Sequence, residues 1–319
     1  MPKTRIFFTS DLHGSERCFL KFLNTPKFYK ADVLIIGGDI TGKVVIPVFR
    51  DSSGKYRADF LGEKHEVSES KLEDLLSRIR GVGYYPYVTT EDEWSALTSD
   101  PKKMEEVLVE LEVDTLRRWV ELAEEKLKDL RGKVKVFIMP GNDDRYEIDE
   151  VLDSSDFVIN PDGKVVMIDE EHEMLGIGNS NITPWRCPRD VPEEKLAKKI
   201  EELASKIENL EKSIFTIHVP PYGSGLDIAP KLDDNLKPVL SPGGGPMMVP
   251  VGSTAVRDAI KKYQPMLGLH GHIHESRGAI KIGRTLCINP GSEYGEGILR
   301  GVLIDIEGNR IKDYLLTSG

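Results

Sequence analysis

The stretch Arg5-Ile6-Phe7-Phe8-Thr9-Ser10-Asp11-Leu12-His13 sets the reading of this chain: a short apolar run closes in an aspartate and, two residues on, a histidine. Apolar runs of this length, ended by polar, Gly or Pro residues, read as buried strands. The arrangement returns four times. Val33-Leu34-Ile35-Ile36 ends in Gly37-Gly38-Asp39, and the run 134–139 ends in Pro140-Gly141-Asn142. The run 213–217 ends in His218, and the run 266–269 stops just before His270-Gly271-His272-Ile273-His274. In open α/β sheets ligands gather beyond the carboxyl ends of the strands, so these five strand ends are expected to converge. Four of the seven histidines lie in the motifs. Their oxygen and imidazole donors suit Mn, Fe, Zn, Ni or Co, and the lack of cysteine among them argues against a structural zinc finger.

Taken in order, Asp11-Leu12-His13, Gly38-Asp39, Gly141-Asn142, His218 and Gly271-His272-Ile273-His274 resemble the D-x-H, G-D, G-N-H, H and G-H-x-H series of the calcineurin-like metallophosphoesterase superfamily. The resemblance extends from residue 4 to about residue 295, interrupted by insertions, and takes in Asn289-Pro290-Gly291-Ser292. It implies an α/β fold, a four-layer α/β/β/α sandwich of two mixed sheets, carrying a two-metal centre. Carried over position by position, Asp11, His13, Asp39 and His274 would hold the first metal. Asp39 would bridge to a second, completed by Asn142, His218 and His272.

The chemistry of such a centre follows from charge. Only Asp11 and Asp39 are anionic, so two divalent cations (Mn expected; Fe, Zn, Ni and Co also suit) leave a positive surplus. That surplus attracts a phosphate and lowers the pKa of a bridging water. The expectation is direct attack by bridging hydroxide on a phosphodiester or activated phosphate ester, with no phosphorylated enzyme.

One position departs from the pattern. Gly141-Asn142 is followed by Asp143-Asp144, where the family has a histidine that contacts phosphate and is thought to protonate the leaving group. Asp143 acts as a general acid only if burial or a neighbouring carboxylate raises its pKa; ionised, it repels phosphate. His270 has two readings: a core histidine donating to a backbone carbonyl, or a borrowed proton donor at the site. His65 and His172 sit in acidic surroundings and are expected at the surface.

Hydrophobic residues make up 39% of the 319 residues and charged residues 30%, the profile of a globular protein. No apolar stretch approaches the ~20 residues of a membrane span, and no signal-type region follows Met1, so a cytoplasmic protein without membrane contact is expected. Three scattered cysteines fit a reducing compartment. A net charge of −10 argues against gripping duplex nucleic acid, but not against a small phosphorylated or nucleotide-like substrate.

About a hundred residues separate Asp39 from Asn142, against the ~30 of a simple βαβ unit. Within a single domain spanning 1–319, the segment 43–131 is therefore expected to be a helical and aromatic cap. Residues 43–60 read as irregular or hairpin, and a helix is expected from about Glu69 to Arg80. The stretch Thr90-Glu91-Asp92-Glu93 is a capping box, and Asp100-Pro101 starts a long helix. Tyr84, Tyr85, Tyr87 and Trp94 either line a substrate pocket or pack the cap's own core, and the cap helices offer a route to oligomers. Residues 192–213 read as one charged helix, and the Gly/Pro-rich stretch 219–253 as a substrate-side loop. Strands near 286–289, 301–306 and 311–316 are expected to complete the second sheet.

Two other functional classes stand beside the hydrolase. A catalytically silent protein-binding scaffold would have shed ligands, and all seven are present. A single-strand nuclease would need basic and aromatic clusters near the motifs, and none is visible there.

Overall fold

The computed structural model describes residues 3–319. The chain runs β1 (Lys3–Thr9), α1 (Glu16–Leu23), α2 (Thr25–Tyr29) and β2 (Val33–Ile36). It then makes β3 (Val44–Arg50), β4 (Lys55–Phe60), β5 (Glu63–Ser68), α3 (Leu72–Gly81), β6 (Tyr84–Thr89), α4 (Glu91–Thr98) and α5 (Pro101–Leu127). Next come β7 (Lys135–Ile138), α6 (Asp149–Asp153), β8 (Val158–Ile159), β9 (Val165–Met167) and β10 (Glu173–Ile177). The short β11 (Ser180–Asn181) and β12 (Asp190–Val191) precede α7 (Glu193–Ala204), β13 (Ile214–Ile217), β14 (Ile228–Pro230) and β15 (Met248–Pro250). The chain closes with α8 (Thr254–Tyr263), β16 (Leu267–Leu269), β17 (Gly278–Ile282), β18 (Thr285–Asn289), β19 (Arg300–Glu307) and β20 (Arg310–Ser318).

The architecture is mixed α/β with several sheets. One six-stranded sheet has the order β20-β19-β1-β2-β7-β8, the other β17-β18-β16-β13-β10-β9. Each has a parallel centre and antiparallel pairs towards an edge. The parallel strands are buried on both faces, which is why they read as unbroken apolar runs. Ile6, Phe8, Ile35 and Phe137 of the first sheet meet Met174, Ile214, Leu269 and Ile288 of the second in one core. The opposite face of the first sheet packs Phe7, Leu34 and Val136 against Phe19, Phe22, Leu116 and Trp119 from α1 and α5. Trp119 stacks on Phe19 with ring centroids 4.2 Å apart. On the far face of the second sheet, Ile177 and Phe215 pack against Leu196, Ile200 and Ile260 of α7 and α8.

The segment 43–131 carries the helices α3, α4 and α5 but is not helical alone. It holds a four-stranded sheet, β5-β4-β3-β6, with its own core of Val48, Tyr56, Phe60, Leu75 and Ile79. Its strands alternate, with Tyr56, Ala58 and Phe60 buried between exposed Lys55, Arg57 and Asp59, the period-2 pattern of a half-buried strand. Tyr84-Tyr85-Pro86-Tyr87 is thus a strand, paired in parallel with β3. The capping box forms: Thr90 Oγ1 accepts from Glu93 N–H, and Glu93 accepts from Thr90 N–H. Asp100 caps α5, whose second half, from Leu116 to Leu127, buries its apolar face in the core of the first sheet.

Four further expectations change. β18 joins the second sheet, but β19 and β20 extend the first, because β19 pairs antiparallel with β1 and satisfies the N–H and C=O groups along its edge. α7 ends at Ala204; Ile207 and Leu210 reach the same core from beyond the helix end. The stretch 219–253 carries the β14–β15 hairpin, prolonged by the bridges Leu232–Pro238 and Leu240–Pro246 into an exposed arm. His172 is buried and held between Asp169 and the Gly308 carbonyl, while His65 is largely covered and lies against Phe60. Among the described residues no helix is long and apolar enough to cross a membrane.

Candidate metal centre

Six of the seven ligand candidates come together at the carboxyl ends of β1, β2, β13 and β16, and the seventh, Asn142 at the end of β7, sits between Gly141 and Asp143, which both lie against Asp39. Ligand atoms of Asp11, His13 and His274 lie within 4.8 Å of one another, and so do those of Asp39, His218 and His272. The groups adjoin: His13 Nε2 is 3.8 Å and His218 Nε2 3.2 Å from the same oxygen of Asp39. His274 Nε2 is 3.4 Å from Asp11 Oδ1 and 3.2 Å from His13 Nε2.

Backbone geometry presents these side chains. Asp11, His13, Asp39 and His272 all have positive φ, between 40° and 66°. Non-Gly residues seldom take this conformation, and where it persists the surroundings enforce it, commonly at functional sites. Asp11 N–H donates to the Gly38 carbonyl and His13 N–H to the Asp39 carbonyl, locking the first two loops together. The motif glycines are required by close approach. A Cβ on Gly38 would lie 2.4 Å from His218 Nδ1, one on Gly141 2.1 Å from Asp39 Oδ1, and one on Gly271 2.3 Å from Asp11 Oδ2.

Two of the candidate donor atoms are left free. His218 Nδ1 donates to the Gly37 carbonyl at 2.9 Å, and Asn142 Nδ2 donates to Asp190 Oδ1 at 2.8 Å. That leaves His218 Nε2 and Asn142 Oδ1 buried without a hydrogen-bond partner among the described residues. Such orphans are costly, and a metal ion satisfies both. Burial works against ionising Asp39 and Asp11, yet neighbouring imidazoles, His218 and His274 foremost, hold both below the usual carboxylate range. Burial likewise opposes a proton on His218, but Asp39 and Asp11 push its pKa up to about 10. The centre therefore calls for positive charge, and the residues fit divalent cations.

The two other sequence candidates part company. Asp143 stands at the centre: its N–H donates to Asp39 Oδ1 at 3.0 Å, and its Oδ2 is 4.0 Å from His13 Nδ1. His270 does not. It is fully buried, its Nδ1 donates to the Ile217 carbonyl at 2.8 Å, and its Nε2 lies beside Gly268 near Cys287 and Ile260, on the helix-facing side of the second sheet. Burial lowers its pKa to about 4, so the ring is neutral.

Sequence reasoning passed over several residues. Asp144 is buried and accepts from Ile40, Thr41 and Gly141, tying the loop after β2 to the loop after β7. Arg189, also buried, donates to the Asp144 and Arg145 carbonyls and to Asp149. Tyr294 lies 4.7 Å, ring to ring, from His13 and 5.9 Å from His274. Lys43 pairs with Asp143. A carboxylate directly after Asn142-Asp143 was the one visible signal for Asp144. The others come from distant segments and carry no spacing signature.

Fold and site together define a mixed α/β protein with a candidate metal centre of aspartate and histidine. No protein-family model matches the sequence. Over 168 residues the chain is 35% identical to an uncharacterized protein of Methanocaldococcus jannaschii, MJ1162, covering 52% of this chain and 68% of that one; the chain belongs to the family of that protein. Among solved structures, one superposes with a TM-score of 0.56 at 16% identity, covering 99% of each chain. TT1561 of Thermus thermophilus follows at 0.54 and 14%, covering 100% of this chain and 99% of that one. These likenesses show the fold. A novel archaeal phosphodiesterase aligns at only 0.36 and 12%, over 98% and 100% of the two chains, too remote to bear on function.

Proposed function

We propose that this protein is a dinuclear metal-dependent phosphoesterase acting on phosphodiesters or activated phosphate esters of small, nucleotide-like molecules. The reading places the site on a four-layer α/β/β/α sandwich, with the segment 43–131 as a cap inserted beside it. The observation that carries it is the pair of adjoining ligand groups, Asp39 of one lying 3.8 Å from His13 of the other, with His218 Nε2 and Asn142 Oδ1 buried and without a hydrogen-bond partner among the described residues. Asp11, His13, Asp39 and His274 would hold one ion; Asp39, Asn142, His218 and His272 the other. Two divalent cations there would supply Lewis acidity and a water of lowered pKa for in-line attack at phosphorus.

The chain's own contribution is orientation and charge. Asp190 and the Gly37 carbonyl fix which atoms of Asn142 and His218 face the centre. Asp39 and Asp11, kept ionised, give it two negative charges, fewer than two divalent ions bring, so the loaded site attracts an anion.

Elemental analysis, run beside hydrolysis of a bis-aryl phosphate in Mn on wild type and Asp39→Ala, tests this. About two metals per chain with activity, both lost in the variant, are expected. Sub-stoichiometric metal and no turnover after reconstitution would overturn the reading.

A further inference from the structure

Lys43 stands where the chain leaves the Asp39 loop for the insertion, and both sides anchor it. From the metal side, Thr41 N–H and Oγ1 donate to buried Asp144. From the insertion side, Gly42 N–H donates to the Tyr85 hydroxyl at 2.8 Å. Gly42 is also wedged against the Gly83 carbonyl, where a Cβ would come within 2.2 Å. Gly83 in turn approaches the His13 carbonyl so closely that a Cβ would lie 2.3 Å from it. The insertion is thus seated directly against the backbone of a metal ligand, and Lys43 emerges from that seat.

Its ammonium pairs with Asp143 Oδ1, while the other Asp143 oxygen faces His13. The Lys43 side chain remains 52% exposed, whereas Asp143 is 15% exposed, so the amine lies on the open side of the pair. Alone, an ionised Asp143 beside the ligands would repel a phosphate. Paired, its charge is offset, and an ammonium with three donors can hold a carboxylate and a phosphate oxygen together.

We propose that Lys43 is the cation that contacts the substrate's phosphate beside the metals, with Asp143 as the positioning residue that holds it there. The histidine missing from position 143 is replaced by charge delivered from the insertion. This rests on the phosphoesterase reading of the same site. It makes the root of the insertion part of the active site and gives Asp143 a function as the partner that holds Lys43.

The test uses Mn-loaded full-length protein with inorganic phosphate as the ligand, followed by calorimetry, beside kcat and KM on a bis-aryl phosphate. Lys43→Ala is expected to weaken phosphate binding about tenfold or more, the loss of one charge-assisted contact. KM should rise with it while both metals stay bound. Lys43→Arg should recover most of the binding. The double variant Lys43→Ala/Asp143→Ala should bind phosphate more tightly than Lys43→Ala alone, since the bare carboxylate is gone; a purely structural pair would not behave so. Phosphate affinity within twofold of wild type in a metal-replete Lys43→Ala, or a double variant no better than the single, overturns the proposal. If the wild type holds no metal, the phosphoesterase reading falls with it; if only the Lys43 effects are missing, that reading stands.

Discussion

Asp190 accepts a hydrogen bond from the side-chain amide of Asn142 at 2.8 Å, and by doing so decides which end of that amide is offered to a metal. The same carboxylate takes Thr183 and Cys187 N–H on its other oxygen, so its own orientation is fixed. An asparagine ligates through Oδ1, and a free amide can present the wrong end. Carboxylates that orient metal ligands typically matter ten- to a hundredfold in affinity.

Asp190→Asn is therefore expected to lower the affinity of the ion proposed at Asn142, His218 and His272 by about tenfold or more, with the other ion less affected. Metal titration followed by elemental analysis should show near one tightly held ion per chain. Two ions held as tightly as in wild type would refute it.

Gly141 lies against Asp39, and an added methyl would overlap the carboxylate proposed to bridge the two ions. Gly141→Ala should abolish metal binding, because the overlap is with a ligand oxygen and the neighbouring backbone N–H. Overpacking costs about 1–3 kcal/mol, so the variant should stay folded by circular dichroism while elemental analysis finds it without metal. A metal-replete Gly141→Ala would show that the site has room the structure does not.

His172 clamps three segments: its Nδ1 meets Asp169 at 2.7 Å, its Nε2 meets the Gly308 carbonyl at 2.6 Å, and Asp169 accepts from Thr4. Burial works against a charged ring, but Asp169 and the Gly308 carbonyl raise the pKa of His172 above its ordinary value. Burial also works against Asp169, yet His172 and Thr4 hold it well below the carboxylate range. The histidine's contribution to stability is full below its unfolded pKa of about 6.5 and fades as pH rises through the folded value; the aspartate's is full above about 4 and fades as pH falls through its folded value. His172→Ala should cost about 2 kcal/mol near pH 6, and distinctly less at pH 9. Urea melts at the two pH values read this directly, and a pH-independent loss would contradict it.

The arm beyond β14 and β15 exposes Leu236, Leu240 and Met248 and is braced mainly by its own bridges. Replacing residues 232–247 by a short Gly-Ser turn should change stability by no more than about 0.5 kcal/mol, as for other surface changes. Limited proteolysis of wild type should cut first at Gly243–Gly245. A large drop in melting temperature would mean the arm packs on the body.

His270 shows how far a strand-end histidine can mislead. In sequence it is one residue from Gly271-His272, but side chains alternate across a strand, and its ring falls on the helix-facing side among Cys287 and Ile260. His172 misleads the other way: its acidic neighbours in sequence suggest solvent, while the ring is buried and one of them, Asp169, is its hydrogen-bond partner. The insertion was half legible. Thr90-Glu93 and Asp100-Pro101 announce their helices through local capping chemistry. The strands β3 and β6 do not announce each other, because a parallel pair is joined only through a distant crossover.

By itself the sequence determined the five strand ends, the order of the ligand-bearing motifs and the identity of the donors. These are local facts, written in apolar runs closed by glycine, proline or a polar residue. Tertiary structure alone decided that Asp39 lies between two ligand groups, that Asp190, Asp144 and Arg189 hold the loops, and that Lys43 meets Asp143. Those pairings join segments far apart in the chain, and their physical basis is burial. Packing the strand ends together strips water from carboxylate, amide and imidazole, and each must then find its partner in space.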